Sequence, residues 1–315
     1  MPDDGVPYLA QLTVRLTEGL ARQTDAFRKL HGAYLRRLQN SDGGFSGREG
    51  DSDLYYTGFA LRGLAVVDEL TPEVCDRAAG FLRQSLNRQA SVVDFFSLLY
   101  ACLLIQMQGG PDVLADSPPD WPERVAALLE TYRTPDGGYA KTAGGPSGST
   151  YHTFLVALCY QLLNRPVPAP ESIERFLDSR QREDGGYVEI APMKRSGTNP
   201  TAAGVGVRQI LAVQDGRSEE YSDDKLEDLL ASMQNAEGGF QANARAPLAD
   251  LLSTFTGLWT LDRIGALARA DQPAALHYVQ SLELPNGGFR GGLWDDHADV
   301  EYTFYGLGAL ALLPH

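Results

Sequence analysis

Three carboxylates in this chain stand where apolar helical runs begin: Asp250, Asp299 and Glu301. Neighbouring packed helices lie about 8–10 Å apart. Carboxylates on adjacent helix starts can therefore face one space, where burial and mutual repulsion raise at least one pKa. A protonated carboxyl beside aromatic walls can give its proton to an alkene, and an ionised one can hold a cation. The densest such stretch is Asp299-Val300-Glu301-Tyr302-Thr303. It follows a polar run, Asp295, Asp296 and His297, whose side chains are of ligand type. The competing reading is local: an aspartate opening a helix is its ordinary N-cap. On that reading Asp250 and Asp299 cap, Glu301 points to solvent and the run before it is a solvated loop.

The elements that must position these groups recur. A Gly-Gly-aromatic signature appears as Asp42-Gly43-Gly44-Phe45, Asp136-Gly137-Gly138-Tyr139, Asp184-Gly185-Gly186-Tyr187, Glu237-Gly238-Gly239-Phe240 and Asn286-Gly287-Gly288-Phe289. The last three spacings between first glycines are 48, 53 and 49 residues, and the first is 94, close to twice as long. The doubled gap predicts a degenerate unit between Pro72 and Met107, with two helices and no Gly-Gly. Each unit reads the same way. An amphipathic helix such as Ile173–Gln181 ends at the glycines, which supply φ > 0 and close approach. The aromatic plugs the space between hairpins. A polar loop then leads to a second helix that is apolar nearly all round and therefore buried.

The expected fold is all-α: an α/α toroid of six hairpins, an α6–α6 barrel, with second helices inside and first helices outside. The units fall near 22–70, 71–110, 118–165, 168–215, 221–268 and 271–315, after a short N-terminal helix. The inner helices are expected to run parallel and to gather their N-termini, with free N–H groups and positive dipole ends, at one rim. Aromatic residues crowd them, including Tyr55, Tyr151, Phe255 and Trp259. Singly each can be core; together they suit an apolar chain. Small residues at Thr201-Ala202-Ala203-Gly204-Val205-Gly206 either leave room in a cavity or admit the outer helix.

Composition narrows the function. The 315 residues are 43% hydrophobic and 22% charged, with net charge −14 and pI near 4.8. An acidic surface repels phosphate backbones, so nucleic acid is not an expected partner. Three cysteines, Cys75, Cys102 and Cys159, make no disulfide framework and lie in apolar runs, as small hydrophobes do. Met1-Pro2-Asp3-Asp4-Gly5 lacks a signal pattern, and Leu312-Leu313-Pro314-His315 offers no prenylation cysteine. No stretch approaches the roughly 20 apolar residues of a membrane span. The expectation is a cytoplasmic, unlipidated protein.

The period, the Gly-Gly-aromatic turn and the buried second helix resemble the prenyltransferase and squalene-cyclase repeat over nearly the whole chain. Asp296 to Leu313 is most similar to the last inner helix of the Rab geranylgeranyltransferase β subunit. The resemblance implies a zinc held by an Asp, a Cys two residues on and a His from the next inner helix, which turns an acceptor thiol into a thiolate. Asp250 matches that Asp, but the Cys position falls on Leu252 and the His position on Tyr302. His152, in Thr150-Tyr151-His152-Thr153, resembles the zinc-histidine helix start, yet the preceding inner helix pairs Asp94 with Phe96. No zinc is therefore expected, and magnesium is left open. The resemblance also implies a diphosphate pocket of charge-assisted donors. Lys194 and Arg195 before the fourth inner helix, and Arg245 before the fifth, are the candidates. Thr150 or Tyr151 stands where an arginine belongs before the third, and Pro247 where a lysine belongs. Cyclase relatives use an Asp-x-Asp-Asp acid with aromatic walls for the carbocation. Asp299, Glu301 and Tyr302 match it with two departures; Asp51-Ser52-Asp53 places Tyr55 at the donor position.

Three functions compete. The first is an isoprenoid-processing or isoprenoid-binding protein similar to a prenyltransferase β subunit, a transferase without the complete zinc site. The second is a single-toroid class II terpene cyclase with Asp299 and Glu301 as its acid group. Most such cyclases combine toroids, so the length weighs against it. The third is a non-catalytic module for a lipid or another protein. The expected partners are an isoprenoid or other apolar small molecule and a helical-repeat subunit.

Overall fold

The computed structural model describes residues 5–86, 91–217 and 223–314. The expected start of the fifth unit at 221, residues 1–4 and His315 lie outside the described residues. Among the described residues thirteen α-helices follow one another: α1 (Tyr8–Leu20), α2 (Asp25–Arg37), α3 (Leu54–Val66), α4 (Pro72–Ser85), α5 (Val92–Met107), α6 (Trp121–Glu130), α7 (Thr150–Leu162), α8 (Pro170–Arg180), α9 (Thr198–Gln214), α10 (Asp224–Ser232), α11 (Leu251–Arg263), α12 (Gln272–Ser281) and α13 (Val300–Leu312). The one sheet among the described residues pairs β1 (Phe289–Arg290) antiparallel with β2 (Ala298–Asp299). Pro72 to Met107, which lacks the glycine signature, holds α4 and α5. No helix of the described residues is long and apolar enough to cross a membrane.

The chain forms two compact units. One joins the described residues up to Leu12 to Pro122–Tyr278, and the other joins Thr13–Trp121 to Val279 onward. In the first unit α7, α9 and α11 lie side by side, with α8 packed on α9 and α10 on α11. In the second, α13, α3 and α5 lie side by side, with α2 on α3 and α4 on α5. The side-by-side helices are buried on most faces, as in α13, where Val300 and all of Thr303–Leu312 are buried.

One device is repeated at every signature. The first glycine has positive φ: 91° at Gly43, 94° at Gly137, 81° at Gly185, 93° at Gly238 and 83° at Gly287. A Cβ on Gly287 would lie 2.9 Å from the Leu30 carbonyl oxygen, so only glycine lets this turn meet α2. The aromatics Phe45, Tyr139, Tyr187, Phe240 and Phe289 are fully buried. Each donates its backbone N–H to a threonine Oγ1 one turn into the following helix: Thr57 (2.9 Å), Thr153 (3.0 Å), Thr201 (3.0 Å), Thr254 (2.9 Å) and Thr303 (3.2 Å). The small residues of α9 serve rings. A Cβ at Gly204 would stand 2.6 Å from the Tyr187 ring, and one at Gly206 2.6 Å from that of Phe154. Neither open space nor an outer helix accounts for these two glycines.

Candidate functional site

In the second unit the start of α13 is built on hydrogen bonds. Asp299 caps the helix, accepting from the Tyr302 N–H at 2.8 Å. Its other oxygen accepts from Arg48 Nε at 3.1 Å. Arg48 grips Asp295 with both terminal nitrogens and donates to the His297 carbonyl at 2.9 Å. In the polar run Asp295 is buried, while Asp296 and His297 are exposed as in a solvated loop. Asp295 and Asp299 converge on a cation from the loop after Phe45, and Asp296 stays exposed. Burial pushes the Asp295 carboxyl up, but hydrogen bonds from Arg48 and from the N–H groups of Gly291 and His297 outweigh it and hold the carboxyl low. At Asp299 burial dominates and the pKa is raised.

Glu301, one residue into α13, does not point away into solvent. Its carboxyl is half-buried and accepts from the Tyr55 hydroxyl at 2.7 Å. Burial raises its pKa, and the charge of Asp299 adds to the rise; hydrogen bonds from Tyr55 and Tyr305 and the cation of Arg62 oppose it. Beneath it lie rings: Tyr55 meets Phe59 edge-on at 4.9 Å, and Phe59 meets Tyr305 at 5.2 Å and Phe304 at 5.7 Å. Tyr302 lies under Arg48, 5.9 Å from ring centre to guanidinium carbon. Asp53 caps α3 through the Tyr56 N–H, and Asp51 is exposed. A carboxyl whose pKa is raised can supply a proton to an alkene, and the aromatic bed beside it can stabilise the resulting cation.

In the first unit Asp250 caps α11, with both oxygens engaged by Ser253: its N–H at 2.7 Å and its hydroxyl at 2.8 Å. Burial nevertheless raises its pKa. Lys194, Arg195 and Arg245 are exposed on the loops before α9 and α11, with no ion-pair partner among the described residues. Tyr151 is exposed and packs edge-on against His152. His152 belongs to a hydrogen-bonded chain: Ser149 Oγ donates to Glu189 and lies 2.8 Å from His152 Nδ1. Since that hydroxyl's proton goes to Glu189, Nδ1 donates and Nε2 keeps its lone pair. Burial, with the charge of Lys141, lowers the His152 pKa to about 4, so the ring is neutral at pH 7. Phe255 and Trp259 are buried, and the Trp259 N–H donates to the Tyr8 hydroxyl at 2.6 Å.

A family model, the prenyltransferase alpha-alpha toroid domain, matches residues 24–82 and 76–315. The chain belongs to this family. Its fold class is accordingly the α/α toroid. No curated protein sequence matches the chain. Among solved structures it is similar to Candida albicans protein geranylgeranyltransferase-I complexed with GGPP, at 15% identity, TM-score 0.70 and 90% coverage of each chain. It is similar to the type II terpene cyclase MstE from Scytonema in complex with merosterolic acid A, at 14% identity and TM-score 0.61, over 96% of this chain and 97% of that one. A GH76A α-1,6-mannanase from Salegentibacter is also similar, at 12% identity and TM-score 0.61, over 91% of this chain and 98% of that one. At these identities the likeness is one of fold, and a mannanase among the three shows that the toroid alone does not name a substrate.

The zinc that the prenyltransferase resemblance implies does not fit these residues. At the positions where the resemblance puts its ligands, Leu252 has no side-chain donor atom, Tyr302 stands in place of the expected histidine, and Asp250 spends both oxygens on Ser253. Among the described residues no three His, Cys, Asp or Glu side chains are grouped to hold a metal. The three cysteines are buried and free, and burial pushes the Cys102 thiol up to about 12. Sequence reasoning missed Arg48, Arg62 and Glu189. The loop Ser46-Gly47-Arg48 carries no periodic signal. Arg62 was detectable as the only charge in Leu54–Val66, an otherwise apolar helix.

Proposed function

We propose that this toroid-family protein binds an isoprenoid over the aromatic face of α3 and α13 and acts on it through Glu301, by acid chemistry and without zinc-assisted transfer to a thiol. The observation that carries this reading is the half-buried Glu301 carboxyl, hydrogen-bonded to Tyr55 above the rings of Phe59, Phe304 and Tyr305. Protonation of an alkene forms one C–H bond, breaks the π bond and leaves a carbocation over those rings. Loss of a proton from a carbon beside the final cation returns it to the carboxylate or to water. The net change is an isomerisation, which needs no second substrate. The similarity of fold to a type II terpene cyclase of comparable length supports the reading. The setting proposed is the cytoplasm.

The test is incubation of the purified chain with C10 to C30 isoprenoids, free and as diphosphates, followed by mass spectrometry of the extract. Isomers of the substrate are expected, absent with Glu301→Gln although substrate still binds. Neither bound lipid nor product would leave a scaffold.

A second reading, a transferase acting with a helical partner subunit, draws on the unpaired exposed cations Lys194, Arg195 and Arg245 as holders of a diphosphate. Release of inorganic diphosphate, lost on replacing those three residues and unaffected by Glu301→Gln, would favour it.

A further inference from the structure

Arg62 is the one charged residue of α3, and it lies among rings. Its guanidinium carbon is 3.9 Å from the centre of Phe59, 5.1 Å from Phe304, 5.7 Å from Phe96 and 5.8 Å from Tyr100. These rings come from α3, α13 and α5, all within the second unit. The Nε–H reaches back one turn to the Gly58 carbonyl at 3.0 Å. Among the described residues no carboxylate lies within ion-pair distance, and Nη1 and Nη2 make no hydrogen bond. The Tyr100 hydroxyl is taken by Thr13 at 2.7 Å. The arginine of α9 is differently placed: Arg208 is bonded to Asp178 at 2.7 Å and to the Tyr187 hydroxyl at 2.6 Å.

Ring faces stabilise a cation but do not fill its donors. Arg62 therefore keeps four N–H bonds, in the planar fork that takes an oxyanion two bonds at a time. Tyr55, Phe59 and Arg62 are spaced i, i+4 and i+7, so they share one face of α3. The Glu301 carboxyl is at the Tyr55 end of this face, and the guanidinium, drawn back by its Gly58 bond, stands against the rings of Phe59 and Phe304 beside it.

We propose that Arg62 anchors the anionic head, a carboxylate or a phosphate, of an amphiphilic ligand whose apolar chain lies over Phe59, Phe96 and Phe304 toward Glu301. This deepens the isoprenoid reading and rests on it for the nature of the chain. The head sits about one turn along α3 from its N-terminus, at the level of Gly58 and Phe59, on a residue distinct from the exposed loop cations Lys194, Arg195 and Arg245.

Calorimetric titration of the full chain with farnesoic acid, farnesyl monophosphate, farnesol and palmitate tests the anchor and the chain separately. The acid or the monophosphate should bind at least about tenfold tighter than farnesol, the worth of a charge-assisted pair. Whichever binds tighter names the head group. Arg62→Gln should bring the acid down to the affinity of farnesol and leave farnesol within about twofold; Arg62→Lys should restore part of the preference. Equal binding of farnesol and the acid by the wild-type protein overturns the anchor, leaves the isoprenoid reading standing and requires no variant to fold. Palmitate bound as tightly as farnesoic acid, and dependent on Arg62, keeps the anchor and overturns the isoprenoid chain. No binding of any of the four overturns both.

Discussion

Residue types mattered here through their hydrogen bonds. Asp136, before its Gly-Gly turn, shows how far neighbours reset a carboxylate. Burial works to raise its pKa, yet bonds from Thr134, the Gly148 N–H, Ser147 and Arg180 bring it down to about 2. Arg180 is 2% exposed, so its charge has little access to water other than through this partner. A folded-state pKa below the unfolded value near 3.8 stabilises the fold above that value and loses the effect as pH falls toward 2. Asp136→Asn should therefore cost about 2 kcal/mol in urea unfolding at pH 7. The gap should close between about pH 4 and pH 2, where the wild-type carboxyl also becomes neutral. A gap of constant size across that range would mean that packing, not charge, sets the cost. At Glu301 the sign is opposite: there burial wins, and the acid form persists to higher pH than an exposed glutamate allows.

At the scale of elements, the threonine one turn into each buried helix ties it to the signature before it. Thr303→Val or Thr153→Val keeps the shape and leaves the buried N–H of Phe289 or Tyr139 without an acceptor, which should cost about 1–3 kcal/mol each. In α5, which no glycine signature precedes, the position four residues after the N-cap Ser91 is Phe95, and the next hydroxyl is that of Ser97, two residues on. Its buried hydroxyl has no partner among the described residues. Ser97→Ala should be neutral or stabilising by thermal denaturation, and a loss comparable to that of Thr303→Val would show that a bond exists there. This contrast also shows why much of the fold was legible. Gly-Gly-aromatic and the hydroxyl after it are local necessities, so they recur in sequence, and even the degenerate pair at α4 and α5 kept its apolar periods. The site was less legible because its bonds are long-range. Asp299 read equally well as cap or acid and is a cap that also holds Arg48, 251 residues away in sequence. Glu301 is held by Tyr55 from another helix, a bond that leaves no mark in the local sequence. Arg48 lies in an aperiodic loop, so no pattern marked it.

For the whole molecule the question is whether family membership brings the family's metal. A structural or catalytic zinc takes three or four N, S or O donors in their deprotonated forms. The cysteines and two of the histidines among the described residues are buried or held by hydrogen bonds. Cys75, Cys102 and Cys159 are buried, and burial raises the pKa of all three thiols, so the thiolate form is scarce at neutral pH. His31 accepts from the Gly288 N–H through Nδ1 and faces Glu283 through Nε2, and His152 has one nitrogen on Ser149. His277 and His297 are exposed, with no grouped carboxylate and cysteine partners among the described residues. Asp250, the one matching ligand of the family's set, would have to give up the Ser253 bonds that cap α11. A metal would thus have to displace a helix cap in exchange for one oxygen donor. Protein purified without chelator should hold well under one zinc per chain by elemental analysis, and EDTA should leave its melting temperature unchanged. About one zinc per chain, lost on Asp250→Ala, would return the protein to thiolate chemistry and remove the reason for making Glu301 the acid.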